Sequence, residues 1–349
     1  MFFYLSKKRN GSRGFIGHRR LAVVAFGDAK KVMKNMRLLI TGATGFLGKS
    51  FINYIRNYKK LSEYTNICCI SSGRTSFDQS LFEDVDFIKM DLTRRDNLAE
   101  LKELKFDCLI HLATSSTLVK TMRNSTILSE IIDVGRSALE IAKITKCSKI
   151  IWASSGAVYQ KNTSKVPVEE HFYLSIGTEP QSNAYSAGKI ISELDAAYFC
   201  SENEIDLTVL RLFAFSGCGL PLNRHFALGN FISSARSGGP ILIRGSGSLV
   251  RSYMDQLDFA KALTSIIEQD LKGGTFNVGS DVPITLTELA ELISKISNQK
   301  FGAKITKTIL NEVKDPEGYY VPNIDKFKSY FNIAPIKTLE ASIYEMLKE

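Results

Sequence analysis

The sequence predicts an α/β fold: a doubly wound parallel sheet wrapped by helices, followed by a smaller mixed α/β lobe. Three observations predict it. From Met36 onward, short apolar β-rich runs alternate with longer amphipathic ones, the pattern of βαβ units. A glycine-rich loop stands between the first of these strands and the first helix. After Gly217 the texture changes to shorter elements broken by Gly and Pro, at Ser237 to Pro240, Gly245 to Gly247 and Gly273 to Gly274.

Taken in order, Arg37 to Ile40 reads as strand one, Phe46 to Tyr58 as a helix, and Asn66 to Ile70 as strand two. Phe87 to Met90 is a third strand, Asn97 to Leu104 a helix, and Cys108 to Leu112 a fourth strand. A helix across Leu128 to Thr145 leads to strand five, Lys149 to Ala153, which closes on Ser154 and Ser155. A long helix from Tyr185 to Cys200 precedes strand six, Leu207 to Leu212. Helices at Phe226 to Ser234, Leu257 to Glu268 and Thr287 to Ile296, with brief strands at Ile241 to Ile243 and Thr275 to Val278, suit the smaller lobe. The expected division is therefore 36–217 for the sheet domain and 218–349 mainly for a lobe that binds substrate.

The chain has 349 residues, 44% hydrophobic and 23% charged, which is ordinary for a globular protein with a full core. No run approaches the roughly 18 apolar residues of a membrane span, so a membrane protein is not expected. The net charge of +9 invites a nucleic-acid reading, but its location removes the support. Residues 1–35 carry nine Lys or Arg against the single acid Asp28, which leaves +1 for everything from Met36 onward. That first segment reads as a disordered tail, as an organelle-targeting stretch rich in Arg and poor in acids, or as sequence ahead of a start at Met36. The six cysteines show no C-x-x-C spacing, and four lie in apolar runs. Buried free thiols in a reducing, cytoplasmic setting are expected, and no metal site.

Strand one runs into T-G-A-T-G-F-L-G, Thr41 to Gly48. Gly42, Gly45 and Gly48 there serve a tight turn, close backbone approach to a pyrophosphate, and helix-on-strand packing, as in a Rossmann-type dinucleotide site. Thr41, Thr44, Phe46 and Leu47 complete the loop, and the helix N-terminus presents unpaired amides to the phosphates. At the end of strand two, where an acid would read a ribose 2′-hydroxyl, the chain has Ser71, Ser72, Gly73 and Arg74. Hydroxyls and a guanidinium welcome a 2′-phosphate, so NADP is preferred to NAD. Asp91, with Leu92 after it, either accepts from the adenine amino group or caps the next helix. His111-Leu112-Ala113-Thr114 ends strand four at the carboxyl edge, with Leu112 and Ala113 lining the cofactor and His111 read as structural.

Tyr185-Ser186-Ala187-Gly188-Lys189 reads as the start of a helix, which puts Tyr185 and Lys189 one turn apart on one face. A nearby ammonium, with the positive charge of an oxidised nicotinamide, favours the phenolate and suits Tyr185 to acid–base work.

From Met36 to the C-terminus the chain resembles the extended short-chain dehydrogenase family, the nucleotide-sugar epimerases and dehydratases. The resemblance rests on T-G-A-T-G-F-L-G, Asp91-Leu92, His111-Leu112-Ala113, S-S-G-A-V-Y at 154–159, Y-S-A-G-K at 185–189, an arginine-led segment from Arg251 to Asp258, and Phe276-Asn277-Val278-Gly279. It implies that Ser155 hydrogen-bonds the sugar oxygen beside Ser154, that Tyr185 is the acid or base, and that Lys189 binds the nicotinamide ribose and tunes Tyr185. It also implies that Asn230 and Arg251 hold the diphosphate of a nucleotide-diphospho sugar, and that subunits pair as a homodimer through the Leu128 to Thr145 and Tyr185 to Cys200 helices. Two departures narrow the chemistry. Gly156 and Ala157 replace the Asp-Glu pair of the family's dehydratases, which disfavours water elimination by that route. Ala214 and Ser216 replace the Asn and Tyr of R-x-x-N-x-Y-G, within R-L-F-A-F-S-G at 211–217.

The expected reaction is hydride transfer at a hexose carbon, most simply C4. Ser71, Ser72 and Arg74 tilt the reading to NADPH-dependent reduction of a 4-keto-6-deoxy sugar, with 4-epimerisation by bound NAD or NADP as the alternative. A non-catalytic, RNA-binding member is a third reading, against which the intact Ser155, Tyr185 and Lys189 argue.

Overall fold

The computed structural model describes residues 36–349 except 59–63, 74–78, 115–123, 160, 161, 163, 173, 175–179, 223–225, 246, 270, 303–305 and 311–317. The segment 1–35 and Arg74 therefore lie outside the described residues.

The first half is built from strands β1 (Met36–Thr41), β2 (Tyr64–Ser71), β3 (Asp86–Lys89), β4 (Cys108–His111), β5 (Lys149–Ser155) and β6 (Asp206–Leu212). Between them run helices α1 (Phe46–Asn57), α2 (Asn124–Ile144) and α3 (Pro180–Glu202). There follow β7 (Ala214–Ser216), α4 (Ala227–Arg236), β8 (Ile241–Arg244), β9 (Val250–Arg251), β10 (Tyr253–Asp255), α5 (Gln256–Glu268) and β11 (Gly274–Val278). The chain closes with β12 (Ile284–Thr285), α6 (Leu286–Phe301), β13 (Lys307–Leu310), β14 (Tyr319–Tyr320), α7 (Asp325–Phe331) and α8 (Leu339–Lys348).

The central sheet has seven strands in the order β11-β6-β5-β4-β1-β2-β3, and every pair in it is parallel. The strand order reverses between β1 and β4, which is the switch point where such sheets bind ligands beyond their carboxyl ends. Alternation along each strand feeds two cores. Leu38, Ile40, Cys108, Ile110 and Ile151 pack with Phe51, Phe259 and Phe327 on the α1, α5 and α7 side. Leu39, Leu109, Ile150 and Trp152 pack with Ala138, Leu139 and Ala196 of α2 and α3 on the other. A fully buried side chain of this kind stabilises by about 1.5–3 kcal/mol, so both faces anchor the strand ends that carry the site.

Several elements differ from expectation, each for a physical reason. Asn97 to Leu104 holds only a 3-10 turn, Leu98–Leu101, whose two buried leucines are a short plug rather than a helical face. The helix α3 begins at Pro180, so Tyr185 lies in its second turn. Proline suits a first helical position because its missing N–H would have no intrahelical partner there. The strand Thr275 to Val278, expected in the smaller lobe, is the edge strand of the central sheet against β6. Gly273, read from sequence as a loop break, is there for close approach: a Cβ on it would lie 1.9 Å from the carbonyl oxygen of Leu207. Its amide also donates to Asp206 at 2.7 Å.

The remaining elements form a second cluster, with Leu228, Phe231, Ile232, Ile243, Leu289, Ile293, Ile343 and Met346 at its core. It includes the parallel pair β8 and β13, and β9 between β12 and β14. Among the described residues no helix is long and apolar enough to cross a membrane, and no cluster of His, Cys, Asp and Glu could hold a metal ion.

Candidate active site

The glycine loop is shaped as a cradle with no room for side chains. Gly42 has φ +75°, and a Cβ there would sit 2.5 Å from the amide nitrogen of Ala113. A Cβ on Gly48 would lie 2.4 Å from the carbonyl oxygen of Gly42, which also accepts from the amide of Gly45 at 3.0 Å. Gly45 is the N-cap of α1, whose first turn carries no acid. The amides of Phe46 and Leu47 at that helix start have no intrahelical acceptor, so they and the helix dipole face any phosphate laid on the loop. The backbone of β4 closes the cradle: Leu112 donates to Thr41 at 3.0 Å, and Ala113 abuts Gly42. A loop that leaves no room for a Cβ at Gly42 or Gly48, beside a helix N-terminus, fits a dinucleotide pyrophosphate.

At the end of β2, the Ser71 hydroxyl is buried and lies 2.9 Å from that of Thr44, while the amide of Gly73 approaches it at 3.4 Å. Ser71 therefore organises the loop from within, and Ser72 beside it is half-buried. Asp91 caps a turn: its Oδ1 accepts from the amide of Thr93 at 3.0 Å and from its hydroxyl at 2.8 Å. The carbonyl of the buried Leu92 accepts from Ser137 of α2 at 2.7 Å, which ties this edge to the helix.

His111 is structural. It shares a 2.8 Å hydrogen bond with the hydroxyl of Thr41 and packs on Trp152 with ring centroids 4.2 Å apart. Burial and the nearby Lys189 ammonium lower its pKa to about 3, so the ring is neutral in the folded chain at ordinary pH. The unfolded chain takes up this proton near the ordinary histidine value of 6.5, so stability falls as pH drops from there toward 3. His111→Asn should flatten that part of the slope when urea-unfolding free energies are compared across the window; an unchanged slope would show that His111 does not contribute to it.

The catalytic residues predicted from sequence come together at the carboxyl end of β5. Ser155 closes the strand and its Oγ accepts from the amide of Ala157 at 3.1 Å. The hydroxyls of Ser155 and Thr114 hydrogen-bond to that of Tyr185. One turn on, Lys189 is 3% exposed and its Nζ donates to the carbonyl of Ala153 at 3.0 Å. Burial lowers Lys189 to about 8, while the carboxylate of Glu193 favours its charged form. Burial pushes Tyr185 up, and the two hydroxyls pull it down. The pull within the protein thus comes from Ser155 and Thr114, whereas sequence assigned it to Lys189, whose ammonium is turned to a backbone carbonyl. Ser154 is buried beside this group and its Oγ has no hydrogen-bond partner among the described residues.

Two residues of the cluster escaped sequence reasoning. Thr114 directly follows the His-Leu-Ala motif, a position that could have drawn attention to it. Tyr320 lies 135 positions beyond Tyr185 and is brought in by the pairing of β14 with β9. Its hydroxyl bonds to Ser155, its ring packs on Phe213 at 4.7 Å, and the Arg251 guanidinium lies 5.4 Å over it. Arg251 is thereby placed at the mouth of the site, half-buried. Asn230 is exposed on α4, and no side-chain contact joins it to this group among the described residues.

The two departures also have structural accounts. A Cβ on Gly156 would meet the Phe213 ring at 2.7 Å, so a carboxylate side chain has no space there unless that ring moves. Ser216 is fully buried and its hydroxyl is 2.9 Å from that of Ser342 on α8, so this position fastens the C-terminal helix.

Residues 38–279 match the model of the NAD dependent epimerase/dehydratase family. Among curated proteins, the chain is 23% identical to UDP-glucuronic acid decarboxylase 5 of Arabidopsis thaliana, covering 88% of this chain and 87% of that one. It is 22% identical to UDP-glucose 4-epimerase of Mycoplasma genitalium, over 88% of this chain and 94% of the other. Its fold superposes on UDP-glucose 4-epimerase of Thermotoga maritima, solved with UDP-glucose, with a TM-score of 0.78 at 19% identity, covering 90% and 98% of the two chains. The family match takes in the glycine loop, Ser155, Tyr185, Lys189 and the edge strand β11, and the chain is an enzyme that belongs to the NAD dependent epimerase/dehydratase family.

Proposed function

We propose that this enzyme oxidises and re-reduces the hexose of a nucleotide-diphospho sugar at C4, and that its net reaction is 4-epimerisation. The observation that carries the reading is the hydroxyl cluster of Tyr185, Ser155 and Thr114 one helical turn from a buried lysine. Such a cluster holds a sugar oxygen by two hydrogen bonds and moves one proton to or from it. When bound, the nicotinamide supplies the hydride acceptor and donor. Tyr185 takes the C4 hydroxyl proton as the carbonyl forms and returns it as the carbonyl is reduced. Ser155 orients that oxygen, and Lys189 holds positive charge beside the cofactor ribose. Arg251 faces the diphosphate, for which a guanidinium provides a two-pronged donor, and Asn230 lies on the helix toward which the nucleotide extends. Gly156 and Ala157 offer no acid or base for removing water.

Curated relatives include a UDP-glucose 4-epimerase and several UDP-glucuronic acid decarboxylases, which supports chemistry on a nucleotide-diphospho sugar with epimerisation among its outcomes. A second reading, NADPH-dependent reduction of a 4-keto-6-deoxy sugar, is favoured by the absence of a carboxylate from Ser71 to Gly73 and by Arg74 just beyond. With Ser71 engaged by Thr44, the NADP preference rests on Ser72 and Arg74. Exposed Leu194 and Tyr198 on α3 support pairing of two subunits through α2 and α3. Free cysteines, five of them buried, suit a reducing compartment such as the cytoplasm.

The purified enzyme should interconvert C4 epimers from a panel of UDP- and dTDP-hexoses with no net consumption of added nicotinamide. Stoichiometric NADPH oxidation with 4-keto sugars, without epimer interconversion, would replace this reading by the second.

A further inference from the structure

Beneath the catalytic cluster runs a chain of buried polar groups that the proposed reaction does not use. Glu193 lies one turn beyond Lys189 on α3, and its carboxylate meets the guanidinium of Arg211 on β6 face to face. Nη2 lies 2.8 Å from Oε2, and Nε lies 3.1 and 3.2 Å from the two oxygens. Both side chains are less than a tenth exposed. Arg211 also donates to the Tyr159 hydroxyl at 2.9 Å and to the Glu170 carbonyl at 3.0 Å. Tyr159 donates to Asn277 of β11 at 2.6 Å, and the amide of Asn277 donates to the Glu170 carboxylate at 2.8 Å.

Stability alone accounts poorly for this arrangement, because a buried ion pair seldom outperforms apolar side chains of equal volume. Its position is more informative. On α3, Lys189 has Tyr185 one turn before it and Glu193 one turn after; its charge acts on neutral His111 of β4, and its Nζ holds the carbonyl of Ala153 on β5, next to Ser154, which pairs in register with Arg211 of β6. From α2, the side chain of Ile131 stands against Gly188, and the charge of Arg136 is spent on Asp195 at the surface, 2.6 Å away. Glu193, buried like the lysine and one helical turn from it, is the carboxylate whose charge favours the ammonium, and Arg211 fixes where that carboxylate sits. We propose that the Glu193–Arg211 pair is a positioning device for Lys189, which keeps the lysine charged and aimed at the cofactor side of the site. This inference rests on the catalytic reading of Lys189 given above.

The test follows the Lys189 titration by NMR in the full chain carrying 13C-labelled lysine, with the resonance assigned by Lys189→Arg. A carboxylate within a few ångströms moves a neighbour by about one pH unit or more, so E193Q should lower the Lys189 midpoint by at least about that. It should draw the alkaline limb of the activity profile down with it. The double variant E193Q/R211M, which removes the guanidinium left unpaired, should recover part of the shift. E193D, which keeps the charge and is the gentler change should E193Q not fold, should shift the midpoint less. An unmoved Lys189 in E193Q, or in E193Q/R211M where E193Q alone does not fold, overturns the proposal. The titration needs no substrate: a chain that turns over no nucleotide sugar yet shows these shifts overturns the proposed function and leaves the positioning role standing.

Discussion

Tyr185→Phe is expected to lower turnover of a nucleotide sugar by about 10²- to 10⁴-fold while leaving the fold and dinucleotide binding in place, because positioned acid–base catalysis contributes on that scale. The substitution removes one oxygen from a half-buried ring and leaves α3 otherwise unchanged. Ser155 keeps the amide of Ala157 and Thr114 is exposed to water, so no buried group is stranded at great cost. The lost interaction exists only as the proton moves, so kcat and kcat/KM should fall together with little change in KM. Steady-state kinetics beside a thermal melt checks both halves. Undiminished turnover in Tyr185→Phe would remove Tyr185 from the mechanism.

Gly42→Ala is expected to abolish dinucleotide binding and to destabilise the chain. The φ of +75° alone costs an alanine about 1–3 kcal/mol, and the new methyl would also be driven into the backbone of Ala113 at 2.5 Å, where no flexible side chain can yield. Gly45→Ala provides the contrast. Gly45 has φ −77°, and its Cβ would stand 3.2 Å from the nearest atom, so its effect should fall on cofactor affinity far more than on the fold. Urea midpoints and a fluorescence titration with NAD and NADP on both variants separate these effects. Equal stability of the two variants would contradict the packing account.

What was legible from sequence shares one physical character: the signals were local. The glycine loop is a contiguous backbone requirement, and Tyr185 and Lys189 are linked by helical spacing, so both could be read before any packing was known. Ser155 was readable because it ends an apolar strand. Tyr320 was not, because what brings it to Ser155 is β14 lying beside β9, a long-range pairing of two-residue strands with no periodicity. The edge strand β11 was misplaced for the same reason. Its glycine pair resembles a loop, and only the approach of Leu207 shows why glycine is required. The buried pair of Glu193 and Arg211 illustrates the converse. Arg211 was read only as the head of R-L-F-A-F-S-G and Glu193 only as part of a helix, and it is the packing of β6 on α3 that makes them a pair.

The account stands most directly on where hydrogen moves. A nucleotide sugar deuterated at C4 of the hexose should pass its label to the nicotinamide of the enzyme, and the epimerised product should carry deuterium at C4 with no hydrogen drawn from solvent. Replacement of the C4 label by solvent hydrogen, with none found on the nicotinamide, would contradict hydride transfer at this site.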